Sequence, residues 1–410
     1  MGHSPNRLHP PAHRLPDRRT STTMPSTSTE AMLSLRTVAD RPNEYVSQWK
    51  TRTGRKAMGI LPMNFPAELA HAAGVLPVLI QEDREPITAG RNLLGEFNCG
   101  YTRNLADQAA LGRLEVYDGF FHADHCIQLL GAVDVVREFE SDKPVHFGQL
   151  MSSMSDAWTL PQVRETMNEI RSEIEHFAGR TVLDADIARS IDIFDENRRL
   201  LRAVFEQRRH GDAALTPDQI QVLVKSSMVM DKEEHTALLR RVMAGLSPSS
   251  RDDRVRVHLS GHFCHAPRPE LLEMIEDSGA IVVDDDLFHG TRYVSTDIGR
   301  TDDPMAALAS AYLRRNTTVP CPTRVQHDVD WDRFLVDSVL ASGAQGVIVL
   351  MAKFCEPHML FYPELRKTLA ANSIPLLLIE TEHEGIPMES VRTRIEALVE
   401  RIRRNQLTAV

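Results

Sequence analysis

Three cysteines are the residues of this sequence whose positions most suggest chemistry. Cys126 and Cys355 each follow an apolar, strand-like run, and Cys99 lies in the short segment Phe-Asn-Cys-Gly-Tyr. Because ligands gather at the carboxyl ends of strands in open parallel sheets, a site built from three thiolates is one hypothesis. Thiolates suit zinc or iron–sulfur clusters, and three of them leave one position free. The alternative is that each cysteine packs as an ordinary small hydrophobe, which the spacing does not exclude.

Composition limits the class of protein. The chain has 410 residues, 42% of them hydrophobic, and it contains no apolar run approaching the roughly 20 residues that a membrane span needs. A net charge of −10 argues against a nucleic-acid partner, because phosphate binding relies on clustered Lys and Arg. Five cysteines without framework spacing, and no recognisable signal peptide, favour a reducing cytoplasm.

The first 40 residues differ from the rest in composition. They are rich in Pro, His, Arg, Ser and Thr and lack apolar periodicity, which predicts a disordered tail. An organellar transit peptide is a weaker interpretation, because the segment has several prolines and no apolar stripe. Translation from Met24 or Met32 would also explain its composition.

Periodicity predicts an α/β protein with three regions after the tail. Short apolar runs alternate with helical patterns over residues 41–155 and again over 249–410, which indicates parallel sheets in Rossmann-like, flavodoxin-like domains. Residues 156–248 are almost wholly helical, with apolar residues three and four apart. We therefore expect two α/β domains with a helical subdomain between them.

Other candidate residues also follow predicted strands. Cys264 and His265 come after a strand ending at Gly261 and are alternative metal ligands. A zinc site built from them and from the pair His125 and Cys126 is a rival hypothesis, although the spacing matches no familiar finger. Cys321 lies between two prolines, and this position favours a structural role for it. The acidic run 284–286 and the nearby His289 either line a site or form a solvated loop.

Several segments resemble, in the same order, the 2-hydroxyacyl-CoA dehydratase and benzoyl-CoA reductase family. They are residues 65–77, beginning Phe-Pro-Ala-Glu-Leu, then Tyr117-Asp-Gly-Phe-Phe, Lys353-Phe-Cys-Glu-Pro, Tyr362-Pro-Glu-Leu, Ile374-Pro and Val391-Arg-Thr-Arg-Ile-Glu-Ala. The resemblance covers nearly everything after Tyr45. The helical segments 190–200 and 233–235 are most similar to the smaller, C-type subunit of benzoyl-CoA reductase.

The resemblance implies a cofactor and a reaction. It implies that Cys99, Cys126 and Cys355 bind one [4Fe–4S] cluster, which delivers single low-potential electrons to an aromatic acyl-CoA of the benzoyl-CoA type and yields a cyclic diene. Relatives often have Asp after the cysteine that corresponds to Cys126, where this chain has Ile127. That departure keeps 2-hydroxyacyl-CoA dehydration, a lyase reaction, as the alternative.

The resemblance also suggests roles for other side chains. Glu68 corresponds to a carboxylate near the substrate in relatives and is a candidate proton relay, or else it stabilises a helix N-terminus. His122 and His125 are candidate proton donors to a substrate radical, or else they cap the sheet. Arg292, Arg392 and Arg394 are candidate anchors for the phosphates of CoA, because guanidinium groups bind phosphate bidentately, or else they form surface ion pairs.

Partners follow from the same resemblance. We expect a homologous larger reductase subunit, an ATP-hydrolysing iron–sulfur activator and a CoA thioester substrate, with no membrane or nucleic acid involved. The chain has no Gly-x-x-x-x-Gly-Lys-Ser/Thr motif with which to hydrolyse ATP itself. A homodimeric reductase whose two cubanes share a sulfide, a double-cubane cluster, is a further alternative within the family.

Overall fold

The computed structural model describes residues 26–123, 126–210, 214–247, 253–261 and 263–408. It contains two four-stranded, wholly parallel sheets surrounded by helices. This confirms the predicted α/β fold class with two Rossmann-like domains. None of the helices in these ranges is long and apolar enough to cross a membrane.

The first sheet consists of β1 (Ala57–Leu61), β2 (Leu76–Leu79), β3 (Gly119–Ala123) and β4 (Val145–Gly148), in the order β2-β1-β3-β4. Helix α3 (Ala67–Ala72) connects β1 to β2, and α4 (Gly90–Leu93) and α5 (Gly100–Ala110) precede β3. Helix α6 (Ile127–Phe139) connects β3 to β4. All five residues of β1 and of β3 are buried, as expected for strands covered on both faces.

The second sheet repeats this order. Strands β5 (Val255–Gly261), β6 (Ala280–Asp285), β7 (Gly346–Ala352) and β8 (Leu376–Thr381) are arranged β6-β5-β7-β8. Helix α11 (Pro269–Asp277) lies between β5 and β6, and α15 (Glu356–Ala371) lies between β7 and β8. The longer β6–β7 connection contains three helices: α12 (Thr291–Val294), α13 (Pro304–Thr318) and α14 (Trp331–Ser342). Helix α16 (Met388–Thr408) follows β8.

Four helices separate the sheets in sequence: α7 (Thr159–Ala178), α8 (Asp184–Arg209), α9 (Pro217–Ser227) and α10 (Lys232–Ala244). They fall inside the segment predicted to be helical. One apolar core runs through the molecule and includes Val78 and Phe120 of the first sheet, Val347 of the second and Leu223 of α9. The two sheets are therefore packed into one body.

Part of the predicted tail is folded. Residues 26–40 form helix α1 (Ser26–Asp40), which is followed by α2 (Pro42–Thr53). Helix α1 buries Ala31 and Leu35 against α9 and α10, and the Ser28 hydroxyl donates a hydrogen bond to the Val242 carbonyl (3.0 Å). The apolar residues of this segment form a narrow stripe among polar residues, so its composition did not predict a helix. Residues 1–25 of the predicted tail lie outside the described residues.

Candidate functional site

The strand order places a topological switch point in each sheet. In the first sheet, β2 lies on one side of β1 and β3 lies on the other, so the chain changes direction between β2 and β3. In the second sheet, β6 and β7 lie on the two sides of β5 in the same way. The crevice outside the carboxyl ends of such a strand pair is the usual ligand site of a parallel sheet. Cys126 follows β3 and Cys355 follows β7, so each lies at a switch point.

Each of the three predicted ligands immediately precedes a helix. Cys99, Cys126 and Cys355 are the N-cap residues of α5, α6 and α15. None of these three side chains makes a capping hydrogen bond to its helix. Because unpaired N–H groups and the helix dipole make an N-terminus electropositive, these positions favour thiolates and anionic groups bound by them.

One glutamine joins the three cysteine segments. The Gln128 side chain, in the first turn of α6 two residues after Cys126, accepts a hydrogen bond from the Cys99 backbone N–H (2.8 Å). Its amide nitrogen donates to the backbone carbonyls of Phe354 (2.7 Å) and Phe97 (3.3 Å). Gln128 is 8% exposed. A single buried side chain therefore holds the loops of Cys99 and Cys355 against the helix that Cys126 begins.

The backbone beside Cys355 adopts an unusual conformation. Phe354 has φ +63°, in the left-handed region that bulky residues avoid. This conformation accompanies the hydrogen bond from Gln128 to the Phe354 carbonyl. Outliers of this kind persist only where surrounding contacts enforce them, and they concentrate at functional sites.

Cys99 differs electrostatically from the other cysteines. Burial alone would raise the pKa of its thiol, but the hydrogen bond and charge of His265, together with Thr102, outweigh burial and lower that pKa. His265 also hydrogen-bonds Glu82 through Nδ1 (3.0 Å). Burial lowers the pKa of His265, whereas Glu82 and Cys99 raise it, with a net value of about 10. Cys99 is thus paired with a cationic imidazole from the other sheet.

The surroundings of Cys126, Cys264 and Cys355 favour the protonated thiol. Burial, followed by the charge of Cys99, raises the pKa of Cys126 to about 11 and that of Cys355 to about 12. Burial also raises the pKa of Cys264, and the charges of Cys126, Cys99 and Cys355 add to this effect. The thiols are therefore close enough to influence one another. All five cysteines are free, and the Cys321 sulfur lies 3.1 Å from the Thr323 hydroxyl.

A separate cleft lies between the first sheet, α8 and α13. It measures about 1170 Å³, including open solvent at its mouth. Glu68 lines it and is 4% exposed, with Oε1 accepting a hydrogen bond from Arg198 (2.7 Å). Its aromatic lining consists of Phe65, Phe194, Phe288, Tyr293 and Tyr312. The sequence predicted Glu68 as a site residue but gave no sign of Arg198, which lies 130 positions further along the chain.

His122 lies near the carboxyl end of β3 and is 2% exposed. Its Nε2 accepts a hydrogen bond from Arg137 (3.3 Å), and its ring stands 4.7 Å from that of Phe147. Burial, followed by the charge of Arg137, lowers the pKa of His122 to about 4, so the imidazole is neutral at physiological pH. His125 lies outside the described residues.

The three predicted phosphate anchors do not form one group. Arg292 lines the cleft, but its Nε donates to the Asp286 carbonyl (3.0 Å) and its Nη1 to the Val319 carbonyl (3.0 Å) and the Pro320 carbonyl. Arg392 and Arg394 are both on α16, where Arg392 is partly buried and the exposed Arg394 donates to the Leu378 carbonyl. Neither lines the cleft that contains Glu68.

The chain is a two-domain α/β protein with two parallel sheets packed into one body. Cysteines lie at both switch points, and an aromatic cleft beside the first sheet is a candidate ligand site. Comparison with known families narrows this class. Residues 62–402 match the family model described as 2-hydroxyglutaryl-CoA dehydratase, D-component, and the chain belongs to that family.

Individual relatives are distant but nearly co-extensive with this chain. It is 25% identical over 361 residues to the C-type subunit of the benzoyl-CoA reductase of Thauera aromatica, covering 87% of this chain and 93% of that protein. It is 26% identical over 369 residues to the (R)-phenyllactyl-CoA dehydratase beta subunit of Clostridium sporogenes, covering 88% and 96%. It is 25% identical over 382 residues to the beta subunit of the (R)-2-hydroxyglutaryl-CoA dehydratase of Acidaminococcus fermentans, covering 88% and 96%. The chain is thus an enzyme subunit of the acyl-CoA reductase and dehydratase family.

Proposed function

We propose that this chain is the iron–sulfur subunit of an oxygen-sensitive acyl-CoA reductase that acts on an aromatic acyl-CoA of the benzoyl-CoA type. The observation that carries this proposal is the junction at Gln128, which brings together segments containing Cys99, Cys126 and Cys355. Membership of a family whose members include a benzoyl-CoA reductase subunit supports the reaction class.

Cys99, Cys126 and Cys355 are proposed to hold a [4Fe–4S] cluster, because Gln128 joins the three segments that contain them. Among the described residues, no three His, Cys, Asp or Glu side chains are grouped so as to hold one metal ion. A cubane does not require such convergence, because each cysteine binds a different iron. Thiols with pKa values of about 11 and 12 also become good ligands only when a cation offsets their charge. Bound there, the cluster would supply single electrons at low potential.

The protein's own residues exclude water and handle protons. The aromatic lining of the cleft removes water from an acyl group, which strengthens every electrostatic interaction within it. Arg198 fixes one oxygen of Glu68, and Glu68 is proposed as a proton relay beside the ligand. His122 and His125 are proposed as further proton donors, and Arg392 and Arg394 as contacts for CoA phosphates on the surface.

The surroundings of the cysteines favour a protein partner. Exposed apolar side chains flank each cysteine: Phe97 is 70% exposed, Ile127 70%, Phe354 38% and Leu360 78%. Apolar side chains clustered on a surface commonly mark an interaction site. We propose a homologous larger subunit and an ATP-hydrolysing iron–sulfur activator as partners. The relatives named above are themselves subunits, which supports assembly with a second chain.

Dehydration of a 2-hydroxyacyl-CoA is the second candidate. Two of the relatives named above are dehydratase beta subunits. A double-cubane cluster shared by two copies of this chain is a third arrangement.

An anaerobic assay of the assembled complex, supplied with activator, reductant and ATP, separates the two reactions. Consumption of benzoyl-CoA with formation of a cyclic diene is the expected result. Turnover only of a 2-hydroxyacyl-CoA to its enoyl product would replace the reductase with the dehydratase. Co-expression with a larger homologous subunit should give a stable heteromer, and a stable, iron-containing homodimer would favour the shared cluster.

A further inference from the structure

The cleft beside Glu68 contains more positive charge than its carboxylate neutralises. Its lining includes four cations, Arg198, Lys232, Arg292 and Arg315, and one carboxylate, Glu68. The whole chain, in contrast, has a net charge of −10. Cations collected in a low-dielectric cleft of an acidic protein attract anions from solution.

Two of the four cations have a carboxylate within 4.0 Å, although the buried Arg292 Nη2 makes no hydrogen bond within the described residues. Arg198 binds Glu68 (2.7 Å) and Asp195 (2.5 Å), so two carboxylates offset its charge. The Arg292 guanidinium is held by the backbone carbonyls of the β6–β7 connection, with Asp286 at 4.0 Å. The excess charge therefore resides on Lys232 and Arg315.

Arg315, on α13, lines the cleft without a protein partner. Within the described part of the chain, its side chain forms no hydrogen bond and no ion pair. Burial, followed by the charge of Arg198, lowers the pKa of Arg315, so the surroundings disfavour its charge. Arg315 is half-buried, so the five N–H donors of its guanidinium remain open to water or to a ligand that enters the cleft.

Lys232 provides a second cation and an aromatic platform. It is 4% exposed and donates to the Ser227 carbonyl, the Ser227 hydroxyl (2.9 Å) and the Tyr293 hydroxyl (3.4 Å), but no carboxylate of the described residues pairs with its charge. Its ammonium lies 4.9 Å from the ring centre of Phe194 and 5.7 Å from that of Tyr293. A cation beside aromatic faces suits a ligand with an anionic group on a flat, apolar body.

The backbone of the cleft is also strained. Met63 and Asn64, which follow β1 and line the cleft, have φ +70° and +67°. A methionine in the left-handed region is an outlier that surrounding contacts must enforce. Both residues and Arg315 also line an adjoining cavity of about 380 Å³, so the space continues past the guanidinium.

We propose that the cleft binds the oxyanion of a ligand with an apolar body, with Arg315 as the bidentate contact and Lys232 as the supporting cation. A carboxylate and a phosphate both match a guanidinium in this way. A carboxylate would belong to an acyl group with a second carboxyl group, since the benzoyl group of benzoyl-CoA has none, and a phosphate would belong to coenzyme A. The inference rests on the proposed function only in assigning an acyl-CoA ligand to this cleft, and binding can be measured without iron.

Calorimetric titration of the purified, iron-free protein tests the inference. The probes are benzoate, its neutral isostere benzamide, inorganic pyrophosphate and coenzyme A. We expect an anionic probe to bind and Arg315→Met to weaken that binding at least tenfold. The exposed Arg401, on α16, provides a matched control, and Arg401→Met should change binding less than twofold.

The probes also distinguish the two sources of the anion. Binding of benzoate at least tenfold tighter than benzamide assigns the site to a carboxylate, and binding of pyrophosphate and coenzyme A without benzoate assigns it to a phosphate. Absence of binding by every anionic probe, or unchanged binding in Arg315→Met, would overturn the inference. The cluster proposal is judged separately, by iron content.

Thermal unfolding of the ligand-free protein separates a binding role from a structural one. Because Arg315 has no partner, replacing it with Met should leave the unfolding temperature unchanged or raise it, while binding is lost. Arg315→Lys should retain part of the binding. A lowered unfolding temperature together with unchanged binding would show that Arg315 serves the fold rather than a ligand.

Discussion

The two sheet units share a topology and place a cysteine at the same point. Cys126 lies three residues beyond the end of β3, and Cys355 lies three residues beyond the end of β7. Each strand is third in chain order within its sheet, and each cysteine occupies the N-cap position of the following helix. The position of both thiols thus follows from the shared strand order.

The units differ in what surrounds the thiols. Each unit adds a cysteine near these thiols, Cys99 at the start of α5 and Cys264 after β5, but His265 lowers the pKa of Cys99 whereas burial raises that of Cys264. The strand order therefore determines where the thiols lie, whereas contacts across the interface between the units determine their pKa values. The predictions below test this division of roles.

The largest effect is expected from the cysteines themselves. Cys99→Ser, Cys126→Ser or Cys355→Ser should each abolish retention of iron, because a hydroxyl is a poor ligand for a cluster. Iron per chain after anaerobic reconstitution is the measurement. Cys321→Ser is the matched control and should retain iron. Equal loss in all four variants would mean that folding, not ligation, had been disturbed.

The second unit should depend on one buried carboxylate at the carboxyl end of its sheet. Asp286 is fully buried and accepts hydrogen bonds from the Trp331 indole (2.7 Å), the Gly261 N–H (2.8 Å) and the Ser260 hydroxyl (2.9 Å). Asp286→Ala should lower the free energy of unfolding by about 3–5 kcal/mol, because it leaves buried donors unpaired. Urea denaturation checks this.

The exposed Asp337 provides the control for that experiment. Asp337→Ala should change the free energy of unfolding by less than about 0.5 kcal/mol. Equal effects of the two substitutions would contradict a structural role for Asp286 in the second unit.

Gln128 tests the junction between the units. Gln128→Ala should leave all three thiols in place but loosen their segments, so the cluster should be lost faster on exposure to air or chelator while some iron is still incorporated. The rate of iron release and the cluster's electron paramagnetic resonance spectrum are the readouts. Gln162→Ala, at a partly exposed position of α7, is the control. Release at the wild-type rate would mean that the junction contributes nothing to retention.

Acid should destabilise both units, the second more strongly. The pKa of His289 is lowered to about 3 and that of His122 to about 4, and burial is the largest cause of both shifts. Unfolding restores an ordinary pKa near 6.5, so the unfolded state binds more protons below that pH, and stability falls as pH drops from about 6.5 toward these values. Thermal unfolding between pH 7 and 4 measures the effect.

The matched variants are His289→Asn and His122→Gln. Both should reduce the loss of stability on acidification, and His289→Asn should reduce it more because its pKa is lowered further. An acid profile identical to that of the wild-type protein in both variants would place the sensitive groups elsewhere.

Patterns local in sequence predicted much of the fold. The apolar runs at 57–61, 255–261 and 346–352 became central strands because strands covered on both faces are continuously apolar. Strand β4 lacks that signal, because only one of its four residues is buried. Helix α1 was missed because its apolar stripe is set among Ser and Thr.

The site was predicted less completely than the fold. Cys126 and Cys355 could be read from strand ends, but the roles of Gln128, His265 and Arg315 depend on residues far away in sequence. Arg292 illustrates the same limit. Its residue type suggested a phosphate anchor, whereas its guanidinium binds carbonyls of the β6–β7 connection. Residue type alone does not reveal which donors the fold has already used.

Quantifying metal and acid-labile sulfide in the protein purified without oxygen tests the central claim most directly. We predict about four irons and about four labile sulfides per chain. One zinc per chain with no labile sulfide, or no metal after reconstitution with iron and sulfide, would contradict the assignment of Cys99, Cys126 and Cys355 as ligands of a [4Fe–4S] cluster.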